Sequence, residues 1–172
     1  DLPALLGVLP DALIVFTHRE PCAVVGSSCS LVWNQMIIHS DRVNSAAIGR
    51  EWLSKTELQI ERMRKVRETI PAGQRIDVRY GDMERDWQSV MRDIYRFLDM
   101  DIAPALPAMG EYMASSDRTL ERHPHRYSLE MFGLDPHEVA EHFEDYTGAF
   151  ELGHLRPVPV ARPVEALPLP HG

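Results

Sequence analysis

The feature that most constrains the fold is a short apolar run, Leu13-Ile14-Val15-Phe16, which ends in Thr17-His18-Arg19. Apolar and polar residues do not alternate along it, so the strand that it forms must be covered on both faces. Strands of that kind are typical of parallel sheets. Pro21 suits the first position of a helix that follows the strand. The sequence therefore predicts an α/β fold with a parallel sheet.

The helix that starts at Pro21 opens with small residues and continues with bulky ones. The small residues are Cys22, Ala23, Gly26, Ser27, Ser28, Cys29 and Ser30. A helix with a small-residue start lets another group approach its backbone closely. Tight packing against the rest of the protein and the approach of a ligand both fit this composition, and the residues alone leave the two alternatives open.

Arg19 and Ser27 form the main candidate site. Arg19 lies at the carboxyl end of the predicted strand, where α/β sheets bind their ligands. The N-terminus of the next helix favours an anion at the same place. Ser27 follows Arg19 by eight residues and lies about two helical turns into that helix. A guanidinium group and a hydroxyl suit a phosphate monoester, although a structural salt bridge would also explain the arginine.

The rest of the chain predicts further helices and one more strand. An apolar stripe predicts a helix over residues 47–70, and spacings of three and four predict another over 87–98. Alternation of apolar Ile76, Val78 and Tyr80 with charged residues predicts a strand that ends at Gly81-Asp82. Asp135 caps a last helix, whose buried side is formed by Val139, Phe143, Tyr146 and Phe150.

The two ends of the chain differ from its middle. The spacing of Leu2, Leu5, Leu6 and Leu9 is that of a helix without a capped start, so we expect sequence upstream of it. From Leu155 onward the chain is rich in proline and predicts an extended or disordered tail. We therefore divide the 172 residues into one domain over 1–154 and a tail over 155–172.

Composition excludes several classes of protein. The net charge of −8 argues against a nucleic-acid-binding face. We find no apolar stretch of membrane-spanning length and no signal peptide, so a cytoplasmic location is expected. Two cysteines, Cys22 and Cys29, are spaced for neither a disulfide nor a metal site. His123 and His125 lack the further ligands that zinc requires, so no metal is expected.

Residues 10–21, Pro-Asp-Ala-Leu-Ile-Val-Phe-Thr-His-Arg-Glu-Pro, resemble the 3′-phosphate-binding segment of sulfotransferases. These enzymes transfer a sulfuryl group from 3′-phosphoadenosine 5′-phosphosulfate (PAPS). The resemblance implies that Arg19 and Ser27 contact the 3′-phosphate of that donor. It also implies a fold like that of P-loop NTPases, a three-layer sandwich with helices on both faces of a parallel sheet, here incomplete and helix-rich.

Two later segments extend the resemblance. Residues 78–83, Val-Arg-Tyr-Gly-Asp-Met, are similar to a sulfotransferase strand that ends in Tyr-Glu-Asp, which implies that Tyr80 lies against the adenine. The helix after that strand usually closes in Phe-Leu-Gly, whereas this one closes in Phe97-Leu98-Asp99. The segment around Arg126 resembles part of a bacterial-type branch, which implies a second contact of Arg126 with the 3′-phosphate.

The predicted function is transfer of a sulfuryl group from PAPS to a hydroxyl, or an amine, of a small molecule or carbohydrate. The segments that bear the 5′-phosphosulfate loop and the histidine base in sulfotransferases have no counterpart here. We therefore expect the chain to bind the donor but not to transfer sulfate alone. His18 is expected to be structural rather than that base, since it points to the opposite face of the strand from Arg19.

Two alternatives stay open at this point. The chain could be a noncatalytic fragment or pseudoenzyme that binds a nucleotide or a partner, or a relative of P-loop kinases. A kinase relative would need the Gly-x-x-x-x-Gly-Lys-Ser/Thr run, which the sequence lacks. The acceptor and the oligomeric state cannot be deduced from the sequence.

Overall fold

Two parallel strands form the sheet of this computed structural model, which describes residues 2–120 and 127–153, with the side chains of 116–120 left out. Strand β1 spans Ile14–His18 and strand β2 spans Arg75–Arg79. Their register pairs Ile14 with Arg75 and His18 with Arg79. The predicted parallel sheet is confirmed, and its register sets the two residues after the strands side by side.

Seven helices surround these strands in the described part of the chain. They are α1 (Leu2–Val8), α2 (Pro21–His39), α3 (Ser45–Thr69), α4 (Tyr80–Phe97), α5 (Leu106–Leu120), α6 (Pro136–His142) and α7 (Glu144–Ala149). Short 3₁₀ turns occupy Ala72–Gln74 and Glu130–Phe132. The predicted helix-rich α/β composition is confirmed.

The main core lies where α2, α3, α6 and the second 3₁₀ turn meet. Its members are buried apolar side chains: Val25, Cys29, Ile48, Leu129, Phe132, Leu134, Val139 and Phe143. Two glycines permit the close packing. A Cβ at Gly26 would overlap the ring of Tyr127, and one at Gly49 would overlap the carbonyl oxygen of Phe132. At Gly26, therefore, the small-residue surface of α2 is used for packing within the chain.

The second strand ends one residue earlier than the sequence predicted. Tyr80 is the first residue of α4 rather than the last of β2. The alternating pattern misled the prediction, because Tyr80 continues it while the backbone already turns. Helix α4 is then broken at Asp86, whose backbone angles are not helical (φ −151°, ψ 74°). The Asp86 carboxylate accepts a hydrogen bond from the amide of Ser89 at 3.0 Å, so the helix predicted from Trp87 has its own cap.

The single last helix of the prediction is two short helices. Asp135 caps α6 as predicted, since its side chain accepts hydrogen bonds from the amides of His137 and Glu138. The helix ends at His142, and Phe143 connects it to α7. The predicted buried side is confirmed for Val139, Phe143 and Tyr146. A break that keeps the same residues buried leaves no mark in the hydrophobic pattern.

Two helices end in the same unusual way. After α4 and α7, the residues Asp99 (φ 53°) and Glu151 (φ 51°) adopt the left-handed conformation. The amides of the residues that follow, Met100 and Leu152, bond to the carbonyls of Tyr95 and Thr147. This is the Schellman ending, in which glycine is the usual left-handed residue. The left-handed conformation costs most residues about 1–2 kcal/mol, and it costs less for a short polar residue such as Asp99.

Helix α2 is long and apolar enough to cross a membrane by length and composition alone, contrary to the sequence prediction. A core helix of a water-soluble domain satisfies the same criterion. Val25 and Cys29 on its inner face are completely buried within the chain. Leu31 and Ile38 on its outer face are exposed.

Candidate functional site

Arg19 and Tyr80 meet at the carboxyl ends of the two strands. Each is the first residue after its strand, and the register of His18 with Arg79 brings them together. The guanidinium carbon of Arg19 lies 4.1 Å from the centroid of the Tyr80 ring, a cation–π contact. Two candidate residues that are 61 positions apart in sequence thus form one surface.

A cleft of about 390 Å³ opens beside this pair. Its walls come from the ends of both strands, the first turn of α4 and the residues after α7: His18, Arg19, Glu20, Arg79, Tyr80, Gly81, Asp82, Glu84, Arg85, Glu151, Leu152 and Gly153. The Nε of Arg19 is buried and finds no acceptor among the described residues. A buried donor without an acceptor is costly, and the phosphate oxygen of a ligand would satisfy it.

The N-terminus of α2 does not provide the anion site that the sequence predicted. The side chain of Glu20 occupies it, because its carboxylate oxygens accept hydrogen bonds from the amides of Cys22 and Ala23, both at 2.9 Å. Glu20 is itself buried. Positive charge for a bound phosphate must therefore come from side chains, above all from Arg19. The sequence analysis did not show that the side chain of Glu20 would be the anion at this helix end.

Of the two remaining candidates, the structure describes only Ser27, which is not brought to this cleft. Ser27 is exposed on the second turn of α2 and is absent from the cleft wall. Arg126 lies outside the described residues. The structure thus pairs Arg19 with Tyr80, while the roles of Ser27 and Arg126 stay predictions.

Arg79 joins two elements of the cleft that the sequence analysis did not connect. Its Nε donates to Asp82 in the first turn of α4, and another guanidinium nitrogen donates to Glu151 after α7, both at 2.6 Å. Arg79 is 41% exposed and Glu151 is 80% exposed, so their ion pair contributes at most about 1 kcal/mol to stability. Arg79 matters to the site mainly because it is the residue immediately before Tyr80.

A buried histidine network lies behind the cleft. His18 is completely buried, and its ring stacks on Phe150 at a centroid distance of 3.8 Å. Its Nδ1 bonds to the hydroxyl of Tyr146 and its Nε2 to a carboxylate oxygen of Asp77, both at 2.9 Å. Asp77 also accepts two hydrogen bonds from Arg67. Both nitrogens of His18 are thus engaged, as a structural histidine requires.

The network favours a neutral His18 and an ionised Asp77. Burial lowers the pKa of His18, an effect that Asp77 only partly opposes. The hydrogen bond from Arg67 lowers the pKa of the Asp77 carboxyl. Neutral His18 can donate from Nε2 to Asp77 and accept at Nδ1 from Tyr146, whose own pKa is raised to about 12 by burial.

We expect the free energy of unfolding to fall as the pH is lowered from 7.5 to about 5. His18 in the unfolded chain takes up a proton near its ordinary pKa of 6.5, before the folded chain does. Its contribution to stability is therefore complete above that pKa and is lost below it, with a slope of up to about 1.4 kcal/mol per pH unit. Urea unfolding at several pH values measures this slope. His18→Phe should flatten it, and an unchanged slope would contradict the assignment to His18.

Known proteins resemble this chain in both sequence and structure. A sequence model of the sulfotransferase family matches residues 1–104, which include Arg19, Ser27 and Tyr80. The crystal structure of sulfotransferase STF9 from Mycobacterium avium is 26% identical with a TM-score of 0.69 over 88% of this chain. That of sulfotransferase STF1 from Mycobacterium tuberculosis H37Rv is 30% identical with a TM-score of 0.66 over 84%. No curated protein matches.

The chain spans 39% and 36% of the lengths of these two structural relatives. Within that span its arrangement is that of the P-loop-like α/β fold of sulfotransferases, which confirms the predicted fold class. The family match covers both strands, the turn at Arg19 and the start of α4. On this evidence the chain belongs to the sulfotransferase family.

Proposed function

We propose that the chain binds PAPS, the donor of the sulfuryl group, through its 3′-phosphate and adenosine. Arg19 meets the 3′-phosphate and Tyr80 offers its ring to the adenine. Ser27, although it does not line the cleft, and Arg126 are assigned to further contacts with the same phosphate. The acceptor is a hydroxyl, or an amine, of a small molecule or carbohydrate.

The observation that carries this proposal is the buried Nε of Arg19 beside the cleft, which has no hydrogen-bond partner among the described residues. A guanidinium group matches the tetrahedral oxygens of a phosphate with two parallel hydrogen bonds. No described residue accepts a hydrogen bond from this nitrogen. A ligand that carries a phosphate is therefore the chemistry that best completes the site.

Tyr80 supports a nucleotide rather than a simple anion. One side of its ring is covered by Arg19, yet the residue keeps 38% of its surface exposed. An adenine can stack on an exposed aromatic face, and such stacking contributes about 0.5–1.5 kcal/mol. A phosphate site and a stacking face in contact with each other fit the two ends of an adenosine 3′-phosphate.

Transfer of the sulfuryl group also needs a base for the proton of the acceptor. His18 lines the cleft, but both of its ring nitrogens are already hydrogen-bonded. We assign the base to none of the described residues. Accordingly, we expect the 172-residue chain to bind the donor without transferring sulfate.

The 3′-phosphate is the part of the ligand that tests the proposal. We expect calorimetric titration to give an affinity for adenosine 3′,5′-bisphosphate that is roughly 10- to 100-fold higher than for adenosine 5′-monophosphate, because charge-assisted hydrogen bonds contribute about 1.5–3 kcal/mol. Tyr80→Ala should lower the affinity for both ligands, and more for the bisphosphate, because the ring also supports Arg19. Tyr112→Ala on the exposed surface of α5 is the matched control.

The two ligands separate the possible failures. Equal affinity for both ligands would show that the site does not bind the 3′-phosphate. If neither ligand binds, the proposed function is refuted. A loss in Tyr112→Ala equal to that in Tyr80→Ala would show that the tyrosine effect is not local.

A further inference from the structure

Glu151 is strained at the place where it touches the candidate site. It adopts the left-handed conformation with φ 51°, and it lines the cleft that contains Arg19 and Tyr80. Glycine would adopt this conformation without a steric penalty. Side chains held in such conformations cluster at functional sites, where the surrounding structure compensates for their strain.

The carboxylate of Glu151 has one charged contact among the described residues, the 2.6 Å hydrogen bond from Arg79. Arg79 immediately precedes Tyr80 and also bonds to Asp82 in the first turn of α4. The chain of contacts therefore runs from the end of α7 through Arg79 to the turn that presents Tyr80. Tyr80 in turn supports the guanidinium group of Arg19.

Stability alone gives little reason for a glutamate at this position. The ion pair with Arg79 is largely exposed, and exposed pairs contribute little. Asp99 has nearly the same backbone conformation at the end of α4, but it lies outside the cleft. The two residues thus share a backbone conformation, and of the two only Glu151 lines the cleft.

We infer that Glu151 is a positioning residue of the nucleotide site, which fixes Arg79 and thereby the stacked pair of Tyr80 and Arg19. The inference rests on the proposed function for its ligand, but the positioning itself can be measured without any ligand. Replacement of Glu151 by glycine should loosen the contact between Tyr80 and Arg19. It should also relieve the left-handed backbone at position 151. The contact between Tyr80 and Arg19 is then expected to change while the stability of the fold hardly does.

The first measurement is the chemical shift of the Arg19 Nε–H proton, which the Tyr80 ring displaces upfield. Arg19→Lys identifies the signal, and Tyr80→Leu gives its position without the ring. In Glu151→Gly the signal should move toward the Tyr80→Leu position, and Glu151→Gln should give an intermediate shift. Asp99→Gly should leave it unchanged. Glu151→Gly should shift the Tm by no more than about 2 °C, because relief of the left-handed residue offsets the loss of an exposed ion pair.

The second measurement is affinity for adenosine 3′,5′-bisphosphate. Glu151→Gly should weaken binding by roughly two- to fivefold, because it acts only through an exposed ion pair, while Asp99→Gly binds like the wild type. An unchanged Arg19 signal in Glu151→Gly would overturn the inference, as would a moved signal with unchanged affinity. If the wild type binds no bisphosphate, the proposed function fails, and the Arg19 signal still decides whether Glu151 positions the pair.

Discussion

Replacing Arg19 by alanine is expected to lower the affinity for adenosine 3′,5′-bisphosphate by roughly 10- to 100-fold. The guanidinium group of Arg19 has a buried nitrogen without an acceptor in residues 2–120 and 127–153, and hydrogen bonds between charged groups contribute about 1.5–3 kcal/mol. The affinity for adenosine 5′-monophosphate should hardly change, since that ligand lacks the 3′-phosphate. Calorimetric titration of both ligands into wild type and variant measures the difference.

Two further variants make this result specific. Arg96→Ala removes an equal charge from an exposed position on α4 and should leave both affinities unchanged. Arg19→Lys keeps the charge but loses the paired hydrogen bonds, so it should recover only part of the affinity. If Arg19→Ala lowers the affinities for the two ligands by the same factor, Arg19 does not bind the 3′-phosphate.

Replacing His18 by alanine is expected to lower the free energy of unfolding by about 3–5 kcal/mol. The substitution empties a fully buried position against Phe150, which incurs the cost of a cavity. It also removes the partner of the Tyr146 hydroxyl and one partner of Asp77. Buried polar groups that lose a partner add about 1–3 kcal/mol each when nothing replaces it.

His142 provides the control for this prediction. It is 41% exposed and pairs with Glu57 on the surface, so His142→Ala should cost less than about 1 kcal/mol. Urea unfolding monitored by circular dichroism compares the variants. A cost for His18→Ala that is no greater than the cost for His142→Ala would show that the buried network does not stabilise the fold.

The first strand and its turn could be predicted because their signals are local. An unbroken apolar run, a terminal arginine and Pro21 lie within nine residues, and the structure places β1, Arg19 and α2 in that order. The Asp135 cap was predictable for the same reason. The polar network of His18 was not, because its partners Asp77 and Tyr146 are 59 and 128 positions away.

Two errors in the helices have a common physical cause. The hydrophobic pattern reports which side chains are buried, whereas the backbone conformation decides where an element begins and ends. Tyr80 continues the alternation of a strand although it starts α4. Phe143 keeps the period of a helix although it divides α6 from α7. Neither position carries a glycine or a proline that would have marked the change.

The site itself was predicted only in part. Arg19 and Tyr80 came from separate motifs, and their contact depends on the register of the two strands, which the sequence does not specify. Glu20 was passed over as a residue of the turn, because glutamate is not among the usual capping residues, although its place before Pro21 is that of a helix cap. Glu151 had no sequence signal, since nothing local marks a glutamate that takes the place of a glycine.

Glu20 has a consequence for the choice among anions. Its carboxylate is tethered beside the amides of Cys22 and Ala23, so it competes for them at a high effective concentration. A phosphate in solution would have to displace an anion that is always present to reach these amides. The helix end is thus closed to small anions by mass action. A free phosphate is left with the charge of Arg19 alone, whereas a nucleotide would add contact with the Tyr80 ring.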